Sequence, residues 1–264
     1  MAQQSAPTLI TPTEVQVLGQ KHSNILAKSL MVAGIGFTLI TVFAFIINYF
    51  MYKALLSTFE GEGSIGWLVG LLAVAGVFAI VSMIMSVFLA RKINTASLTS
   101  LLIYFAVDII SESILFGFLF TAAQLEGLKF EYLALAFAIT GVVLALTGVF
   151  SRFLSTKAAV SLNKFCWIAT IISLVILLPI CIMTFSGLIG DTIWLIMSVV
   201  MCILAVLTML STFHTIRKSS VYLEMLDDAK VKRNYTMIFG FMLLSQIMML
   251  LWYLIRILII FGRN

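Results

Sequence analysis

Residues 97–123 read SLTSLLIYFAVDIISESILFGFLFTAA. Crossing a bilayer takes roughly 20 predominantly apolar residues, and this run meets that length. Near its middle stand two carboxylates, Asp108 and Glu112. In a helix a spacing of four puts both on one face, with Cβ atoms about 5–6 Å apart. Two negative charges at that distance repel by roughly 3 kcal/mol at an effective dielectric of 20. A single charge at mid-depth already costs about 2.5–3.5 kcal/mol on insertion scales. Both cannot ionise together without a compensating cation, and the run contains no Lys or Arg. Partners for the pair are therefore sought elsewhere in the chain.

The whole sequence has the same character. Of 264 residues, 62% are hydrophobic and 10% charged, and the mean hydropathy is +1.16. A water-soluble domain cannot hide that much apolar surface, so the class is an all-α, polytopic membrane protein. Apolar runs place seven spans at about 27–52, 65–90, 97–123, 132–153, 165–188, 192–214 and 236–261, behind a polar tail of residues 1–26. Gly34 and Gly36 in the first span, and Gly66 and Gly70 in the second, are positions where a neighbouring helix approaches closely. Pro179 predicts a kink in the fifth. The longest connection, residues 215–235, reads as a solvated connector, with extension of a helix through i,i+4 charge pairs as the alternative.

The net charge of +5 does not indicate nucleic acid, because the cations sit in short loops between apolar runs. Lys21, Lys28, Arg91, Lys92, Arg152, Lys157, Lys164, Arg217, Lys218, Lys230, Lys232 and Arg233 fall on one side. Lys53, Lys129 and Arg263 fall on the other, and Arg256 lies within the last span. Cytoplasmic loops carry the Lys/Arg excess, so the amino terminus is expected inside and the carboxyl terminus outside. Cys166, Cys181 and Cys202 lie in apolar runs without metal-ligand spacing and read as small hydrophobes. The sequence has no HExxH, GxSxG, phosphate-binding or dinucleotide-binding motif, so neither enzyme activity nor a cofactor is expected.

Three stretches resemble the Bax inhibitor family: ALAFAITGVVLALTGVFSRFLSTKAAVSLNKF, TMLSTFHTIRK and IFGFMLLSQIMMLLWYLIRILIIFGRN. In the last, Gly240, Leu243, Leu250, Leu254, Arg256 and Gly262 hold the family's frame. The resemblance runs from Ala27 to Asn264 and suits a divergent member in a bacterial cytoplasmic membrane. It implies a seven-helix bundle permitting a slow, pH-sensitive leak of calcium or protons. It also implies an Asp pair, one in each of the last two spans, that titrates together. Here His214 and Gln246 occupy those two positions, and Met249 stands where the family has Asn. Gln246 cannot titrate, so the family's sensor is absent as such.

The candidate residues for an ion path or pH sensing are therefore Asp108, Glu112, His214, Gln246 and Arg256. Intramembrane ionisable groups mark ion or proton paths by default. Asp108 and Glu112 are also the candidate ligands for a carried metal ion, with Tyr104, Ser111 and Ser113 completing a polar lining. Their face is expected to point into the bundle, toward the spans bearing Gln246 and His214. The competing reading keeps both carboxyls protonated and structurally hydrogen-bonded. His214 titrates near neutral pH when unperturbed, yet a histidine at a span end is ordinary. Arg256 either snorkels to the outer interface or neutralises a carboxylate within the bundle. The expected partners are the lipid bilayer and, on a second reading, another membrane protein such as a protease or secretion complex.

Overall fold

The computed structural model describes residues 12–59, 66–185, 191–226 and 228–262. Most of the predicted polar tail, the Glu60–Gly63 loop, Gly190 and Arg263 lie outside the described residues or have no described side chain, as does the side chain of Cys181. The described residues form seven α-helices and no strand: α1 (Pro12–Phe59), α2 (Gly66–Arg91), α3 (Leu98–Leu125), α4 (Phe130–Phe150), α5 (Thr156–Phe185), α6 (Asp191–Met225) and α7 (Ala229–Gly262). Five stretches, Asn24–Thr58, Leu98–Leu125, Phe130–Phe150, Asp191–Leu223 and Ala229–Gly262, are long and apolar enough to cross a membrane. The chain is a multi-pass membrane protein. Large apolar side chains stay exposed on its outer faces, Val77 at 60% and Trp167 at 66% among them, as lipid-facing surfaces require and soluble monomers avoid.

The helices outrun the apolar stretches that announce them. The predicted connection over 215–235 shrinks to residues 226–228, because α6 continues to Met225 and α7 begins at Ala229. Extending an existing helix adds one hydrogen bond per residue fixed. Burial on one face then holds the extension, with Phe213, Ile216, Ser220 and Leu223 buried while Lys218 and Tyr222 stay exposed. Asp228 starts α7 by accepting hydrogen bonds from the Lys230 and Val231 amides at 2.8 and 3.2 Å. Likewise α5 starts at Thr156, ahead of its apolar run, with Ser155 accepting from the Ala158 amide, and it continues through Pro179.

The ends of α3 are fixed by local chemistry. Ser97 accepts a hydrogen bond from the Ser100 amide at 3.1 Å, which satisfies one of the donors a helix start leaves open. At the other end Gly127 adopts φ +76°, and Leu128 and Gly127 donate to the carbonyls of Ala123 and Gln124. This paired 6→1 and 5→2 closure requires a left-handed residue, which glycine supplies without a Cβ clash. It turns the chain directly into α4.

Contacts between helices give their directions. Gly36 meets Phe105, Gly117 meets Ile47, and Thr121 meets Asn48, so α1 and α3 run parallel. Phe105 stacks on Phe241 and Phe116 packs edge-on to Trp252, equal steps along two parallel helices. By contrast Trp194 shares a cluster with Ile260 while Thr212 reaches Gln246, so α6 runs against α7. Phe45 and Phe37 meet Phe130 and Phe137 in reversed order, setting α4 against α1. Ser82 and Ala75 do the same for α2 against α3.

Helix α7 is the centre, packed on α1, α3, α4 and α6, whereas α2 leans chiefly on α3 and α5 chiefly on α6. Its approach to α1 is backbone-close. A Cβ on Gly240 would lie 2.6 Å from Val32 Cγ1 and 3.0 Å from the Ser29 carbonyl oxygen. Of the two predicted close approaches in α1, Gly36 is one, with Leu244 and Phe105 against it, while Gly34 has nothing within 4 Å. Gly70 in α2 likewise meets nothing within 4 Å, so its GxxxG spacing carries no helix contact at that glycine.

Candidate functional site

Asp108 and Glu112 share one face of α3, and both are half-buried. The Ser82 hydroxyl of α2 donates to Asp108 Oδ1 at 2.8 Å. Tyr104 lies one turn before Asp108 on the same side of α3. Ser111 donates to the Ala75 carbonyl of α2 at 3.4 Å, and Ser113 turns back to the Ile109 carbonyl of its own helix at 2.6 Å. The result is a polar seam between α2 and α3: tyrosine, serine and two carboxyls.

This differs from the expected placement. Asp108 turns to α2, not to the helices bearing Gln246 and His214. Around Gln246, α7 buries Leu243, Leu244, Ile247, Met248, Leu250 and Leu251, so a carboxyl directed there would be desolvated among mostly apolar side chains. At the bundle edge a hydroxyl is at hand and the side chain stays half-buried.

A second polar seam lies between α6 and α7. Gln246 is buried, and its Nε2 donates to the Thr212 hydroxyl at 2.6 Å. Its Oε1 is buried without a hydrogen-bond partner, as is Nε2 of the half-buried His214 two residues along from Thr212. The equal steps between α3 and α7 put Gln246 level with Ile110, between Asp108 and Glu112. Thr41, whose hydroxyl is the remaining buried side-chain atom without a partner among the described residues, lies between the two points where α1 touches α3. Polar groups on α1, α2, α3, α6 and α7 thus gather in one layer near the middle of the bundle.

Arg256 is outside that layer. Its guanidinium lies 3.6 Å from the centroid of the Trp194 ring, near the far end of α6 and α7. It lies about two turns along α7 from the level of Glu112. Stacking of this kind suits the planar guanidinium. Met249, at the family's Asn position, packs against the Met201, Leu204 and Tyr253 cluster.

Sequence reading singles out Asp108, Glu112, Gln246 and His214 but neither Ser82 and Thr212, which hydrogen-bond to Asp108 and Gln246, nor Thr41 at the same depth. Single hydroxyls in apolar runs are common, and the signal that distinguishes these three is a shared depth, which needs the helix register. Among the described residues no three His, Cys, Asp or Glu side chains converge on one point. Neither the models of known protein families nor the curated proteins include a match to this sequence.

Proposed function

We propose that this chain is a seven-span protein of the Bax inhibitor type that leaks calcium or protons across a bacterial cytoplasmic membrane, with its amino terminus inside. Support for seven spans comes from the alternation of helix directions, which extends to α2, and from the Lys/Arg excess in alternate loops. The family assignment rests on the three resembling stretches. Orientation is checked by placing a cysteine at Tyr222, which is 67% exposed at the end of α6. An impermeant thiol reagent should leave it unlabelled in intact cells and label it after lysis. Ready labelling in intact cells overturns the orientation.

The observation that carries the leak is Asp108: a carboxyl at mid-helix, half-buried in a seam at the bundle edge and hydrogen-bonded to Ser82. A cation moving along that seam meets Asp108 and Glu112 in succession and exchanges for their proton. His214 stands in the same layer, with its Nε2 buried and without a hydrogen-bond partner. It takes the place of the Asp pair that Gln246 makes impossible.

Asp108→Asn separates charge from structure, because the amide oxygen still accepts from Ser82. In liposomes the variant should lose about tenfold or more of calcium and proton flux, a barrier change of about 1.4 kcal/mol or more, while remaining folded. The Ser82–Asp108 bond itself favours a second reading, in which the carboxyl only ties α2 to α3 and the protein regulates a membrane protease or secretion complex. Unchanged flux in Asp108→Asn selects that reading.

A further inference from the structure

On the cation-rich side of the bundle, residues of α1 and α7 line a groove with a cavity of about 590 Å³. Its walls are unequal along their length. Toward the helix starts the groove is lined by Lys28, Lys232 and Arg233, and toward mid-bundle by Met31, Ile35 and Met237. Met31 is 66% exposed and Ile35 47% exposed, so the apolar wall opens outward and is not part of the sealed core. None of the three cations is buried. The nearby Asp228 is committed to the start of α7, where its carboxylate accepts from two backbone amides.

Three cations above an apolar trough match an anionic amphiphile and no small soluble anion, which would use only the charged end. Length agrees with this. From Lys28 to Ile35 the groove follows α1 for roughly 10 Å at 1.5 Å per residue. That is about two thirds of one leaflet of a hydrocarbon core roughly 30 Å thick. We infer that the α1–α7 groove is a binding site for one anionic phospholipid, its phosphate between Lys28, Lys232 and Arg233 and one acyl chain along Met31, Ile35 and Met237. The charged end lies on the side where anionic lipids draw basic residues, each worth about 1 kcal/mol near the surface.

The test uses the full chain, purified in detergent and examined by native mass spectrometry and thermal unfolding. Phosphatidylglycerol should be retained and raise the unfolding temperature, with an apparent affinity at least about fivefold above phosphatidylcholine, the step expected of one cation at an anionic headgroup. The Lys28→Gln, Lys232→Gln, Arg233→Gln variant should lose that preference. Ile35→Trp, which fills the deep end without touching a charge, should lose it as well. A control variant with Lys157, Lys164 and Lys218 changed to Gln should keep it. Equal retention of both lipids assigns the groove to bulk lipid and overturns the site. So does equal loss in the two triple variants, which makes the effect diffuse surface charge. Glycerol 3-phosphate reproducing the stabilisation, or Ile35→Trp leaving it intact, reduces the site to a phosphate contact and overturns the lipid assignment.

Discussion

Gln246 and Asp108 stand at nearly the same depth on two parallel helices, yet they solve opposite problems. Gln246 is buried at the centre and neutral, and it gives a short hydrogen bond to Thr212 while its own oxygen goes unsatisfied. Asp108 is ionisable and half-buried at the edge, and it accepts from Ser82 on a helix that packs chiefly on α3. The central seam has no room to relax, and the edge seam does. Burying a group that can carry charge costs far more than burying an amide. The difference teaches that position in the bundle sorts these residues by the charge they can bear.

The largest effect that would break this contrast concerns packing. Gly240→Ala puts a Cβ 2.6 Å from Val32 and 3.0 Å from a backbone oxygen, and overpacking of this kind costs about 1–3 kcal/mol. Gly76→Ala on α2 meets nothing within 4 Å and should cost nothing. It should instead gain up to about 1 kcal/mol from helix propensity. Thermal unfolding in detergent of the two variants checks this, and equal losses would erase the distinction between centre and edge.

A smaller effect sharpens it. Double-mutant cycles should give Thr212→Val with Gln246→Leu a coupling toward the upper end of interhelical hydrogen bonds in membranes, about 1.7 kcal/mol. Ser82→Ala with Asp108→Leu should fall at or below the average of about 0.6 kcal/mol. Reversed magnitudes would mean that the α2–α3 seam is the tighter one.

Much of the architecture was legible in the sequence because insertion leaves a coarse imprint. Long apolar runs must become helices, since lipid offers no partner for backbone groups. What stayed illegible was local and cooperative. The ends of α5, α6 and α7 extend past their apolar runs because single faces such as Ile216, Ser220 and Leu223 find burial, which periodicity over a polar segment marks only weakly. At the candidate site the residue types were visible, but their neighbours were not. Helical spacing joins Asp108 to Glu112, but no rule of spacing tells whether α2 or α7 will face them. That choice depends on how α7 fills the centre, and the crowding at Gly240 comes from a residue more than two hundred positions away.

The central place of α7 has a consequence for biosynthesis. It is the last of the seven helices to leave the ribosome, yet α1, α3, α4 and α6 all pack on it. Until it arrives, the earlier helices share a face with nothing to cover it, and Asn234 has not yet taken the Ile93 and Ala96 carbonyls at 2.9 and 3.0 Å that fasten the α2–α3 turn. Packing at the centre is therefore completed only when α7 joins the helices made before it. A chain stalled before Ala229 would present that open interior to the cell's membrane quality-control machinery, so chains lacking α7 should be cleared from the membrane soon after they are made.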